Sequence, residues 1–196
     1  MIDDLSAAFE TVSIAEVAAV ILAVAYLVLA VRQNIFCWLA ALLSAFLYMG
    51  IFFAAALYME SALQIFYAAM AIYGWYAWRY GGAEHTGVRI NVWNIRRHAA
   101  VLTVVAALSF LLGWVMSHTD AAFPYADSFT TVAAIVTTYM VARKVLENWV
   151  YWFVIDSVSV YLYASRGLYL TTLLFLSYLV LIVIGFRTWL REYRHG

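Results

Sequence analysis

The clearest polar group inside an apolar stretch of this sequence is the carboxylate of Asp156. At 100° per residue along a helix it shares a face with Trp149, Trp152 and Tyr163. A charge in lipid is costly unless it faces a cavity or a partner, and aromatic rings attract cations by about 0.5 to 2 kcal/mol per contact. The pattern predicts a site for an organic cation. The alternative is that Asp156 accepts hydrogen bonds from neighbouring side chains and only fixes helix packing.

A second set of candidates falls on one helical stripe farther towards the N-terminus, comprising Gln64, Tyr67, Ala71, Trp75 and Trp78. Gln64 can donate to and accept from a neutral amide or hydroxyl, and Trp75 and Trp78 could stack on a flat ring. The two tryptophans also lie beside Arg79, where an aromatic belt at the membrane surface is expected. For the pair, the binding and belt interpretations stay equal alternatives. Tyr178 is a further binding candidate.

The elements that must position these residues are membrane helices, because 67% of the 196 residues are hydrophobic and only 11% are charged. Apolar stretches run at about 14 to 31, 35 to 57, 61 to 80, 98 to 116, 126 to 142, 149 to 164 and 168 to 190. Seven spans of about 20 residues leave no room for a sizeable soluble domain. The acidic start before the first stretch is unlike the basic start of a secretory signal, so we expect a retained first helix.

Charge placement predicts the orientation of these spans. With seven spans, ten of the eleven basic residues fall in loops on one side of the membrane, and only Arg166 falls on the other. Basic loops stay in the cytoplasm, so we expect the N-terminus outside and the C-terminus inside. The alternative has six spans, with segment 149 to 164 lying on the membrane surface.

Composition and motifs exclude several classes of function. Eleven basic residues balance eleven acidic ones, which indicates no nucleic-acid partner, and the single cysteine, Cys37, cannot form an internal disulfide. No histidine has metal-ligand spacing to another, and no hydrolase, protease or phosphate-binding motif is found. We therefore expect neither an enzyme nor a cofactor. Without a nucleotide-binding domain, any transport would be passive or coupled to an ion.

The sequence also matches itself at a shift of 111 residues. Leu57, Tyr58, Tyr67, Gly74 and Trp78 align with Leu168, Tyr169, Tyr178, Gly185 and Trp189. Asn34 and Trp38 instead match Asn148 and Trp152 at a shift of 114, which would require a three-residue insertion. The pattern predicts two parallel three-helix repeats, residues 1–80 and 121–196, joined by a loop and linker helix at 81–120. Repeat-built transporters usually hold substrate near the midplane between the halves, although duplication alone could also have made a larger bundle.

Two stretches resemble a known family. QIFYAAMAIYGWYAW at 64–78 and RKVLENWVYW at 143–152 look like the corresponding segments of the PnuC-type vitamin transporters, and the likeness continues through 166–189. The family shares its three-one-three helix arrangement with the SWEET sugar transporters. The resemblance implies a bacterial inner-membrane carrier that takes up nicotinamide riboside by facilitated diffusion. A cytoplasmic kinase would then trap the vitamin.

The resemblance also assigns residues. By matching motifs, the binding candidates are Gln64, Trp75, Trp78, Asn148, Trp149 and Trp152. Without the resemblance, Asn148 would be expected only to cap its helix, which is also the expectation for Asn34. A flat nicotinamide cation suits an aromatic cage with Asp156. Thiamine is also a flat cation and is the alternative substrate, whereas Asp156 argues against neutral riboflavin. A receptor or sensor without transport is a further alternative, and the oligomeric state, including a homo-oligomer, stays open.

Overall fold

Helices account for nearly all of the chain in the computed structural model, which describes residues 14–54, 58–119, 123–165, 167 and 169–195. The seven apolar stretches of the sequence are confirmed as helices within those ranges. The helices are α1 (Ile14–Val31), α2 (Cys37–Ala54), α3 (Tyr58–Tyr80), α4 (Ile95–Met116), α5 (Pro124–Ala142), α6 (Asn148–Ser165) and α7 (Tyr169–His195). The acidic residues before Ile14, on which the expectation of a retained first helix rests, lie outside the described residues.

Four of these helices are long and apolar enough to cross a bilayer, namely α1, α2, α4 and residues Thr171–His195 of α7. The chain is therefore an all-helical membrane protein. Helix α6 is less apolar because it carries Asp156 and several hydroxyl side chains. It nevertheless packs against both α5 and α7, as expected for a helix that belongs to the bundle.

The chain divides into two compact units, the first ending at Tyr76 and the second beginning at Ala77. In the first unit α1 packs along α2, and Ser44 donates a hydrogen bond across this pair to the carbonyl of Ala19 at 3.1 Å. The Trp38 side chain of α2 lies flat against Gly74 of α3, where a Cβ atom would come within 2.4 Å of the indole. Only glycine allows this close approach.

In the second unit α4 packs on α5, α5 on α6, and α6 on α7. A buried cluster of Val105, Val132, Ala133 and Ile155 joins α4, α5 and α6. Trp149 of α6 lies against Gly185 of α7, where a Cβ atom would come within 2.5 Å of the indole. This contact has the same form as that of Trp38 with Gly74.

The turns that precede these two tryptophans are also alike. In the α1–α2 turn Gln33 has φ 52°, and in the α5–α6 turn Lys144 has φ 48°, which is the left-handed region in both. Asn34 N donates to Leu29 O at 2.9 Å, and Val145 N donates to Met140 O at 2.9 Å. Each pair of equivalent residues is separated by 111 positions.

The 114-residue register for Trp38 is therefore wrong. In the structure Trp38 corresponds in position to Trp149, because each indole fills the space left by the glycine of its own unit. Asn34 accepts a hydrogen bond from Phe36 N at 3.0 Å within the turn, before α2 begins at Cys37. Asn148 instead donates to Val145 O, so its match with Asn34 does not reflect a shared position in the turn.

Candidate functional site

Three tryptophans meet in the second unit. The indole of Trp149 stands edge-on to Trp189 with ring centroids 5.4 Å apart, and Trp78 lies 6.1 Å from the same Trp189 ring. All three side chains are buried. Trp189 was not among the residues predicted to bind, although its alignment with Trp78 at the 111-residue shift was a signal that could have identified it. The structure thus brings two predicted residues, Trp78 and Trp149, together through a third.

Trp78 has a structural role in this cluster. Its indole N–H donates to the carbonyl of Val141 at 3.2 Å, and the Lys144 ammonium lies 4.6 Å from the ring centre. A belt residue at the membrane surface would expose its ring, whereas Trp78 is buried. Trp75, in the first unit, is half-buried and makes an edge contact with Phe36 at 5.8 Å.

The start of α6 carries two buried polar atoms that lack a partner. Asn148 is fully buried, and its amide N–H₂ donates to Val145 O at 2.6 Å, while no described residue hydrogen-bonds its Oδ1 atom. The Nε1 atom of the adjacent Trp149 is likewise buried without a hydrogen-bond partner in the described part of the chain. Burying a polar atom without a hydrogen bond lowers the stability of the folded state by about 1 to 3 kcal/mol. One acceptor and one donor at neighbouring positions are therefore buried without a hydrogen-bond partner among the described residues.

Asp156 lies about two helical turns farther along α6, roughly 10 Å from Trp149 along the helix axis. Its side chain is 5% exposed, and within the described ranges its carboxylate has no hydrogen-bond or ion-pair partner. The prediction of packing-only hydrogen bonds to Asp156 finds no support among these residues. Ser159, one turn beyond, is also buried, so polar side chains continue along this face of α6.

Trp152 lies in different surroundings from Trp149. The sequence put both on one face, but Trp149 is buried against α7, whereas Trp152 is half-buried against the cluster that joins α4, α5 and α6. The separation arises because three residues advance a helix by about 300°, so the two side chains diverge by about 60°. A single cage holding both rings is therefore not formed by the second unit alone.

The remaining predicted residues are distributed along α3 and α7. Gln64 is half-buried on α3 in the first unit. Tyr178 of α7 is half-buried, with its ring 5.5 Å from Phe175, whose ring in turn lies 5.1 Å from Tyr163 of α6. Tyr178 and Tyr163 thus belong to an aromatic row along the α6–α7 contact.

A separate groove of about 390 Å³ lies where α4 and α6 diverge over α5, and it does not contain the predicted residues. Its walls are apolar, and its polar end is formed by His98, Glu147 and Tyr151. His98 Nδ1 is 2.9 Å from the Tyr151 hydroxyl. Several wall residues, including Val150 and Val154, are exposed, so the groove opens at the surface of the unit. The described residues contain no cluster of histidine, cysteine and acidic side chains able to hold a metal ion.

Comparisons with known proteins match nearly the whole chain. The family model for nicotinamide mononucleotide transporters matches residues 13–191. The nicotinamide riboside transporter PnuC of Escherichia coli strain K12 is 29% identical over 192 residues, covering 85% of this chain and 80% of that protein. The riboflavin/roseoflavin transporter RibM of Streptomyces davaonensis is 30% identical over 181 residues, covering 86% and 81%.

A crystal structure of the vitamin B3 transporter PnuC is similar in fold. It superimposes with a TM-score of 0.74 at 22% sequence identity, covering all of this chain and 88% of that one. At this identity the likeness concerns the fold alone.

Proposed function

We propose that this chain, which belongs to the nicotinamide mononucleotide transporter family, carries nicotinamide riboside across the bacterial inner membrane by facilitated diffusion. The chain is a multi-pass membrane transporter and not an enzyme, in keeping with its matched relatives. The observation that supports this substrate is the polar face of α6, where Asn148 Oδ1 and Trp149 Nε1 are buried without a partner among the described residues and the Asp156 carboxylate is buried farther along.

The chemistry of that face complements the riboside. Nicotinamide riboside has a flat pyridinium cation, an amide and several hydroxyls. The Asp156 carboxylate supplies a countercharge for the ring, while Asn148 Oδ1 can accept from an amide or hydroxyl and Trp149 Nε1 can donate to one. A mononucleotide adds a phosphate whose negative charge the buried carboxylate repels, so we expect the riboside to be preferred over the mononucleotide.

The topology that we propose has seven spans in a three-one-three arrangement, with an external N-terminus and a cytoplasmic C-terminus. Support comes from the charge segregation of the loops and from the two turns and tryptophan–glycine contacts that recur 111 residues apart. In this proposal the driving force is the substrate gradient, maintained by a cytoplasmic kinase that phosphorylates the vitamin.

Riboflavin is the second candidate substrate, because one relative at 30% identity is named as a riboflavin/roseoflavin transporter. Thiamine, the alternative from the sequence, suits the same carboxylate, but neither of the two relatives described above is named for it. Riboflavin is neutral and gains nothing from the Asp156 charge, so we rank it below the riboside.

Transport assays in liposomes test the proposal. Purified protein in liposomes should equilibrate labelled nicotinamide riboside without any ion gradient, and empty liposomes give the background rate. Riboflavin, thiamine and nicotinamide mononucleotide are tested in parallel. Flux of riboflavin or thiamine with no flux of the riboside would contradict the assignment. Binding of the vitamin without counterflow exchange would identify a receptor instead.

A further inference from the structure

We propose that Asn91, in the connection between α3 and α4, is a positioning residue for substrate binding, acting through the turn that precedes Asn148 and Trp149. The inference rests on the proposed function for its binding readout. Asn91 is not part of either motif that carries the family resemblance.

The Asn91 side chain reaches across 52 residues of sequence to the α5–α6 turn. Its Nδ2 atom donates to the carbonyl of Arg143 at 2.7 Å and lies 3.4 Å from the carbonyl of Lys144. The same nitrogen is 3.2 Å from the carbonyl of Arg89 in its own segment. One amide group thus ties two loops together.

The Asn91 backbone strengthens the same attachment. Asn91 N donates to Lys144 O at 3.0 Å, and Leu146 N donates to Asn91 O at 2.8 Å, which forms an isolated parallel bridge with Val145 at its centre. The attachment therefore fixes the turn on both sides of Val145. Lys144 has a left-handed φ of 48°, a backbone conformation that ordinary side chains disfavour, and the attachment holds the carbonyl of this residue.

The clamped turn directly positions the candidate binding atoms. Val145 O accepts hydrogen bonds from both Asn148 N at 3.1 Å and Asn148 Nδ2 at 2.6 Å. The second bond orients the amide and so determines where its unpartnered Oδ1 atom lies. Trp149 N donates to Leu146 O at 3.4 Å, and Leu146 is the residue whose own N–H donates to Asn91 O. A shift of this turn must therefore move Asn148 and Trp149 together.

The attachment at Asn91 coincides with the turn that leads into Asn148 and Trp149, whose Oδ1 and Nε1 atoms are buried without a hydrogen-bond partner among the described residues.

The test compares Asn91→Ala with Asn94→Ala in the full-length protein. Asn94 is a matched control because it lies in the same segment and caps α4 through Arg97 N at 2.9 Å, while its side chain has no hydrogen bond to the α5–α6 turn among the described residues. Asn91→Ala should raise the Kd for nicotinamide riboside about three- to tenfold, the equivalent of one hydrogen bond. Asn94→Ala should lower thermal stability and leave the Kd unchanged. Equal Kd values for the two variants would overturn the proposal.

A double-mutant cycle separates positioning from general stability. If Asn91 acts through Asn148, then Asn91→Ala should cause no further loss of affinity in an Asn148→Ala background. Losses that multiply independently would show that Asn91 does not act through Asn148. Should Asn91→Ala fail to fold, Asn91→Ser retains a short donor and is expected to show a smaller loss.

A readout without substrate keeps the two proposals distinguishable. In protein labelled with 5-fluorotryptophan, the fluorine resonance of Trp149, assigned with Trp149→Phe, should shift in Asn91→Ala but not in Asn94→Ala. If nicotinamide riboside does not bind the wild-type protein, the proposed function fails while this shift still tests the positioning. An unchanged Trp149 resonance in Asn91→Ala would refute the positioning role whichever vitamin is carried.

Discussion

Replacing Gly185 by alanine tests whether the contact of Trp149 with α7 sets the geometry of the candidate site. A Cβ atom at this position would lie 2.5, 2.6 and 2.7 Å from three carbon atoms of the Trp149 ring. Such distances are far inside van der Waals contact, so the indole or the helix must move. Overpacking of this kind costs about 1 to 3 kcal/mol. Alanine also recovers about 1 kcal/mol of helix propensity, which offsets part of the cost.

The matched control is Gly50→Ala in α2, where an added Cβ atom meets nothing within 4 Å. This variant gains the helix propensity of alanine without the overpacking cost. The free energies of unfolding of the two variants should therefore differ by that cost, about 1 to 3 kcal/mol. For a protein of this size that corresponds to a Tm difference of roughly 2 to 12 °C, measured by thermal unfolding in the same detergent.

Binding provides the functional half of the test. Moving Trp149 displaces its Nε1 donor and its ring, so Gly185→Ala should weaken nicotinamide riboside binding about tenfold, the equivalent of one hydrogen bond or ring contact. Gly50→Ala should leave the Kd at the wild-type value. If Gly185→Ala were as stable as Gly50→Ala and bound the vitamin normally, the reasoning from the Trp149 contact would be refuted.

Three other substitutions give independent predictions. Asp156→Asn should weaken binding of cationic vitamins by about tenfold or more and leave binding of an uncharged analogue nearly unchanged, measured by titration; equal losses would make Asp156 a packing residue. Trp152→Ala should raise the Kd for the riboside while the protein still folds. An unchanged Kd would show that the ring only packs against the buried cluster that joins α4, α5 and α6. Trp78→Phe removes the hydrogen bond to Val141 O and should lower the free energy of unfolding by about 1 kcal/mol; a Tm equal to that of the wild type would contradict this.

Much of the helical framework could be predicted from the sequence because hydrophobic length is a local property. The stretch predicted at 14 to 31 coincides with α1, and that at 149 to 164 differs from α6 by one residue at each end. The last helix continues to His195, beyond the predicted end near 190, because arginine and glutamate side chains are good helix formers even outside an apolar stretch. Local composition could not indicate that end.

The candidate site was predicted in part. Asp156 was conspicuous because charged residues are rare inside apolar stretches, and Trp149 lay on the same calculated face. The divergence of Trp149 from Trp152 follows from helical geometry, and the alignment of Trp189 with Trp78 was present in the sequence, whereas the neighbouring helix that each face of α6 meets could not be predicted. The correspondence of Trp38 with Trp149 was missed, although it lies at the same shift of 111 residues as the other matches, because Trp38 also matches Trp152 at a shift of 114.

By itself, the sequence determined that this protein is an all-helical membrane transporter, because burial in lipid demands long apolar helices and motif similarity identifies the family. Only the tertiary structure decided which polar atoms stay unpartnered among the residues that it describes. Asn148 Oδ1, Trp149 Nε1 and the Asp156 carboxylate look no different in sequence from groups that bond to a neighbour. Hydrogen bonding depends on distances across helices and turns, such as the attachment of Asn91 to residues 143–146, and those distances exist only once the chain has folded.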